Sequence, residues 1–203
     1  MRVKQILKTI WLLFSSVRLL PHICFMKLHS SKEVVKLDLE RWSRRLPRKN
    51  PDKTYSTIYS FLQLMTFYPE YRNLFYFRLK LIGKILSPLC RPMPTLYINT
   101  RDVGPGLVLR HGFSTIIAAK KIGKNCTIFQ QVTVGFLGYG SPTIGDNVVI
   151  TAGAKVLGNI RVGDNSKVGA NAVVVKDVPE NCTVVGSPAF IVRRNGVKTK
   201  EPL

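Results

Sequence analysis

One histidine, His111, is the residue whose type and place in this 203-residue chain most invite proton chemistry. It stands in Leu109-Arg110-His111-Gly112 and is the only histidine in the periodic second half of the sequence. A neutral imidazole there could accept the proton of an attacking hydroxyl, general-base assistance worth roughly 10²–10⁴ in rate. It could equally be a histidine at a solvated corner. Lysine and arginine total 31 against 11 acidic residues, a net charge of +20, so partners for phosphates and other anions are plentiful. Metal chemistry is not indicated. Cys24, Cys90, Cys126 and Cys182 lie far apart, with no CxxC and no histidine at ligand spacing. They read as buried thiols in a reducing compartment.

The element that must position His111 is a repeat. Ile144, Ile150, Val156, Val162, Val168 and Val174 recur every six residues. Four positions after each come Val148, Ala154, Ile160, Ser166, Ala172 and Val178, all small or aliphatic. Earlier hexads start at Val103, Leu109, Ile116, Ile122, Ile128 and Val134. A strand of about four residues plus a tight turn brings the chain round by a fixed angle, and three such units close one coil of a triangular prism. The aliphatic residue fills the axis, and Gly, Asn and Asp, as in Gly145-Asp146-Asn147 and Gly163-Asp164-Asn165, suit the corners. Two steps are irregular: Leu109 to Ile116 carries one extra residue beside His111, and Val134 to Ile144 carries an insertion within residues 136–141. Such an insertion leaves the prism as an external loop, where binding sites are often built.

The first hundred residues differ in kind. They hold 18 basic and 5 acidic residues. Helical spacing predicts helices over Glu33–Arg45, Tyr55–Phe67 and Tyr71–Leu86, with Pro88, Pro92 and Pro94 ending the region. The aromatic stripe in the last of these reads as core rather than as a nucleic-acid stacking platform. Within residues 6–26, only nine uncharged residues separate Lys8 from Arg18, against the ~18–20 that cross a bilayer. No small-x-small cleavage site follows. On a helix, Lys4, Lys8, Ser15 and Arg18 share one face, and Leu7, Ile10, Trp11, Phe14, Val17 and Leu20 cover the rest. This is the pattern of a basic helix lying in a membrane interface, or of one packing its apolar face on its own domain or a neighbouring subunit. An apolar fraction of 45% excludes a disordered basic tail. Beyond charge there is no nucleic-acid motif, and no nucleic-acid partner is expected.

The repeat, with VGPGLVLRHG, IGKNCTIFQQVTVG, PTIGDNVVITAGAKVLGNIRVGDNSKVGANAVVVKDVP and VVGSPAFIV, resembles the hexapeptide-repeat acyltransferases. The nearest branch is that of serine acetyltransferases and their relatives in surface-polysaccharide clusters. The resemblance covers about half the chain. It implies a mainly β fold, a left-handed parallel β-helix over 96–194 preceded by an α-helical region over 1–95, with 195–203 as a tail. It implies acetyl-CoA as co-substrate, a homotrimer, and His111 as general base. Ala152, Gly153 and Ala170 would lie beside the pantetheine arm, and Lys176 and Arg193 would meet the phosphates. Departures from the family pattern gather around the acceptor. Arg110 replaces an aspartate, the loop Gly140-Ser141-Pro142 lacks a second histidine, and the aspartate expected to pair with the base would fall near Tyr97. Arg110 would then touch the acceptor and repel a serine ammonium. The reading that follows is O-acetylation of a saccharide hydroxyl in the cytoplasm, with membrane contact through residues 1–26. Serine acetylation and a silent membrane-docked scaffold are the alternatives.

Overall fold

From Leu96 onward the chain runs as short strands separated by turns, and these stack into three parallel sheets, the faces of a prism. The structure, a computed structural model, describes residues 2–47 and 56–203. The chain divides into two compact units, residues 1–93 and 94–203. Face one is built from Leu96–Ile98, Thr115–Ile117, Thr133–Gly135, Lys155–Leu157 and Val173–Val174. Face two uses Asp102–Val103, Lys121–Ile122, Thr143–Ile144 and Arg161–Val162. Face three uses Val108–Arg110, Thr127–Phe129, Val149–Ile150, Lys167–Val168 and Cys182–Val185. The six-residue rhythm is thus a parallel β-solenoid of about five coils.

Its axis is filled as the repeat requires. Ile122, Ile128, Val134, Ile144, Ile150, Val156, Val162, Val168 and Val174 are all buried, each contributing roughly 1.5–3 kcal/mol by leaving water. One assignment is corrected. Ile116 is 43% exposed, and Ile117 is the buried residue in register with Val134. The corner before it takes two extra residues rather than one, with His111, Gly112 and Ser114 all at positive φ. A one-residue change of register exchanges the inner and outer positions of a strand.

The Gly-Asp-Asn triplets have a mechanical explanation. Asn125, Asn147, Asn165 and Asn181 adopt φ of 56–58° along one edge, a conformation that asparagine tolerates best among non-glycine residues. The adjoining aspartates tie one coil to the next: Lys124 N–H donates to Asp146 Oδ1 at 2.7 Å, and Asp146 N–H to Asp164 Oδ1 at 2.9 Å. The sole polar residue on the inward small positions, Ser166, is fully buried, and its hydroxyl donates to Pro179 O at 2.7 Å. Residues 195–203, expected as a tail, instead complete the sheet. Val197–Pro202 pairs antiparallel with Phe190–Arg194, which pairs antiparallel with the last strand of face three. That return covers an otherwise open sheet edge.

The first unit is helical: α1 (Arg2–Arg18), α2 (Leu20–Leu28), α3 (Lys32–Ser43), α4 (Thr57–Phe67), α5 (Pro69–Leu79) and α6 (Leu81–Leu86). The helix expected over Tyr71–Leu86 is broken at Lys80, whose φ is 54°. Tyr55 lies outside the described residues. The aromatic stripe is core: Trp42, Phe61, Tyr71 and Phe75 are buried, with Phe61 meeting Phe75 edge-on at 5.1 Å. Cys90, Cys126 and Cys182 are buried free thiols, whereas Cys24 is exposed. The polar face expected on α1 is also corrected. Ser15 is buried, and Leu7, Ile10, Trp11, Phe14 and Val17 are exposed; the side chains of Lys4 and Lys8 lie outside the described residues.

A buried polar chain links α2 to α5. Tyr76 Oη donates to Cys90 O at 2.8 Å and lies 2.9 Å from His22 Nε2. Because that hydroxyl proton is already committed, the ring must donate from Nε2. Burial lowers the His22 pKa from 6.5 to about 4. The neutral ring therefore stabilises the fold fully above pH 6.5, and this contribution is lost as pH falls from there toward 4. The loss amounts to about 3 kcal/mol. Urea unfolding followed by the helical circular-dichroism signal should show it in the wild type, while His22→Gln should flatten the profile between pH 7 and 4. An unchanged profile in the variant would assign the acid sensitivity elsewhere.

Candidate active site

The edge between faces three and one gathers most of the chemistry-bearing positions. Its first corner holds His111, two residues after Leu109 turns inward, with φ of 61°. Histidine in the left-handed region is uncommon and costs roughly 1–2 kcal/mol. Strain of this kind concentrates at working sites. The corner is closed by Phe113 N–H donating to His111 O at 2.7 Å. Among the described residues the imidazole has no hydrogen-bond partner. Tyr97, where a pairing aspartate was expected, stands on the first strand of face one with a half-exposed side chain.

The same edge then climbs through Gln131, Gly153 and Asn171. Gln131 N–H donates to Phe113 O, Gly153 N–H to Gln130 O, and Asn171 N–H to Ala152 O, at 2.9–3.0 Å. Paired strands stack ~4.8 Å apart, so Ala152–Gly153 lies about 10 Å and Ala170 about 14 Å above the His111 corner. Gly153 is required by the fold itself. Its φ is 73°, and a Cβ there would sit 2.0 Å from Asn171 Oδ1. The result is an edge of small residues and exposed backbone leading toward a single imidazole. A long, thin ligand could run along it with its reactive end at His111.

Arg110 closes the third strand-face beside this corner. It is exposed, and its guanidinium carbon lies 5.2 Å from the centre of the Phe129 ring one coil above, a cation–π contact that orients the charge along face three. The two remaining candidates are elsewhere. Lys176 stands on the edge between faces one and two, where its Nζ donates to Leu203 O at 3.0 Å. Arg193 lies on the antiparallel return strand. With Lys167, Thr183, Asn165 and Asn181 it lines an open groove of about 510 Å³ near the asparagine edge. Lys167, Thr183, Arg193 and Lys198 occupy consecutive registered strands. Lys167 and Lys198 were not singled out from sequence, because only the reversal of the chain after Gly186 aligns them with Arg193. The insertion over 136–141 also emerges between faces one and two, with Leu137 bridged to Gly140. Within one chain it does not reach the His111 corner's edge. Three of the five cofactor positions thus share an edge with His111, and two do not.

Residues 141–176 match the family described as bacterial transferase hexapeptide (six repeats). The serine acetyltransferase of Bacillus subtilis is 36% identical over 156 residues, covering 74% of this chain and 70% of that protein. The serine acetyltransferase of Synechococcus elongatus is 43% identical over 132 residues, 62% of this chain and 54% of its relative, so the chain spans about half the length of that protein. The crystal structure of Neisseria gonorrhoeae serine acetyltransferase aligns with a TM-score of 0.64 at 29% identity, over 88% of this chain and 70% of that one. A second structure of that enzyme, in complex with serine, aligns with a TM-score of 0.62.

Proposed function

The chain belongs to the serine acetyltransferase branch of the hexapeptide-repeat transferases, and from that premise we propose that it moves an acetyl group from acetyl-CoA to an acceptor hydroxyl. The observation that carries this reading is the His111 edge: an imidazole on a strained backbone, without a hydrogen-bond partner among the described residues, at one end of an edge that includes Ala152, Gly153 and Ala170. His111 accepts the acceptor's hydroxyl proton as its oxygen attacks the thioester carbonyl. The tetrahedral adduct collapses, the carbon–sulfur bond breaks, and the imidazolium returns the proton to the departing thiolate of coenzyme A. Ala152, Gly153 and Ala170 let the pantetheine arm approach the backbone. Arg193 and Lys176 suit its phosphates by charge. Since both stand off the His111 edge, they meet the same cofactor only from a neighbouring copy, as a homotrimer permits.

The relatives support serine as the acceptor, and they fit that alternative better than the saccharide expected from the sequence. One observation favours a saccharide hydroxyl as a second reading. Arg110, the residue that precedes His111, keeps an exposed guanidinium over Phe129, and a cation at this corner disfavours an ammonium-bearing acceptor. Thiol release from acetyl-CoA, measured with serine and with a panel of neutral and acidic sugars, separates the two. Turnover with serine alone is the expected result and discards the saccharide. Turnover with sugars alone reverses the assignment, and no acetyl-CoA-dependent transfer to any hydroxyl sinks the proposal.

A further inference from the structure

Among the described residues, nothing covers the outward face of the first helix. Leu12, Ser15, Leu19, His22 and Met26 are buried, and their alternating three- and four-residue steps make one continuous inner stripe through α1 and α2. Opposite that stripe stand Leu7, Ile10, Trp11, Leu13, Phe14 and Val17, all exposed, with Phe14 at 72%. An apolar face of this size on a water-soluble surface calls for a partner. The charge of the segment says which kind. Residues 1–31 contain Arg2, Lys4, Lys8, Arg18 and Lys27 and no acidic residue. A second copy of this segment would meet it with like charge, whereas an anionic lipid surface offers both the apolar layer and the opposite charge.

We propose that α1 docks this protein on anionic membranes, lying in the plane of the interface with Trp11, Leu13, Phe14 and Val17 inserted among the lipids. Among the described residues no single helix is long and apolar enough to cross a membrane; Ile10–Arg18 and Leu20–Leu28 reach that length and apolarity only together, and they bend by 62°. The buried inner stripe keeps one side of both helices against protein, so lipid contacts only the outer side. The rest of the chain then works at the membrane surface, where a basic protein meets acidic headgroups and acidic intermediates alike.

The chain carries its own reporter. Of its two tryptophans, Trp11 is 55% exposed and Trp42 is 2% exposed, so a shift in emission reports on Trp11. The full chain is mixed with vesicles of phosphatidylglycerol and phosphatidylcholine, or of phosphatidylcholine alone. Expected are a blue shift of Trp emission and co-sedimentation, at least roughly tenfold stronger on the anionic vesicles and reversed by high salt. The double variant Leu13→Glu, Phe14→Glu changes two exposed residues and should bind roughly tenfold less or worse with an unaltered helical signal. No blue shift and no sedimentation at low salt overturns the proposal. So does equal binding to neutral vesicles, which removes the role of charge. Concentration-dependent self-association abolished by the same double variant, without vesicle binding, would overturn it in favour of a second copy. None of these readouts depends on acetyl transfer.

Discussion

Replacing His111 with asparagine should lower turnover by roughly two decades or more while leaving the fold at least as stable as the wild type. The two effects have separate origins. Asparagine has no titratable ring and cannot take the acceptor's proton, so the chemical step loses its base. At φ of 61°, however, asparagine is more at ease than histidine, as the four corner asparagines of the neighbouring edge illustrate. His111→Ala should lose the same activity but also about 1 kcal/mol of stability, since alanine is strained at positive φ. Coenzyme A affinity should change little in either variant. The measurements are thiol release at saturating acetyl-CoA, calorimetric binding of coenzyme A, and thermal melts. Full residual turnover in folded His111→Asn protein would remove the residue from its assigned role. Equal melting temperatures for the asparagine and alanine variants would remove the strain argument but not the chemical one.

A second large effect is expected far from that corner. Arg78 Nε donates to Asp38 Oδ2 at 2.8 Å, and both side chains are almost fully enclosed between α3 and α5. Asp38→Ala should destabilise the helical unit by about 3–5 kcal/mol, because it removes the carboxylate that faces a buried guanidinium. Replacing both partners by apolar residues, Asp38→Leu with Arg78→Met, should recover most of that loss, since the desolvation of two charges is removed together with their attraction. Urea midpoints from the helical circular-dichroism signal decide the matter. A loss below about 1 kcal/mol in the single variant would mean that water reaches the pair after all.

Much of the solenoid was legible in the residues because its rule is local. Each coil needs an aliphatic residue at a fixed interval and a corner residue that tolerates a left-handed backbone, and both are written in one short stretch of chain. The rule slipped at Ile116. Periodicity counts residues, but the structure counts strand positions, and the long His111 corner uses one residue more than the count allowed. His111 itself was visible by position and resemblance, whereas its positive φ was not. The helical unit was legible as helices but not as contacts. Asp38 and Arg78 are 40 residues apart and His22 and Tyr76 are 54 apart, and no spacing rule joins them.

The sequence by itself determined that a six-residue repeat winds a prism, that helices precede it, and that His111 is its one histidine. Those features depend on neighbours within a turn or a coil. Only the tertiary structure decided which positions share an edge, that Lys176 and Arg193 stand away from His111, and that α1 turns Leu12 and Ser15 inward and its larger apolar face out. An amphipathic pattern says that a face needs a partner, but which face is covered depends on what the other helices can bury against it. That balance is set by packing across the whole unit and is written in no single segment.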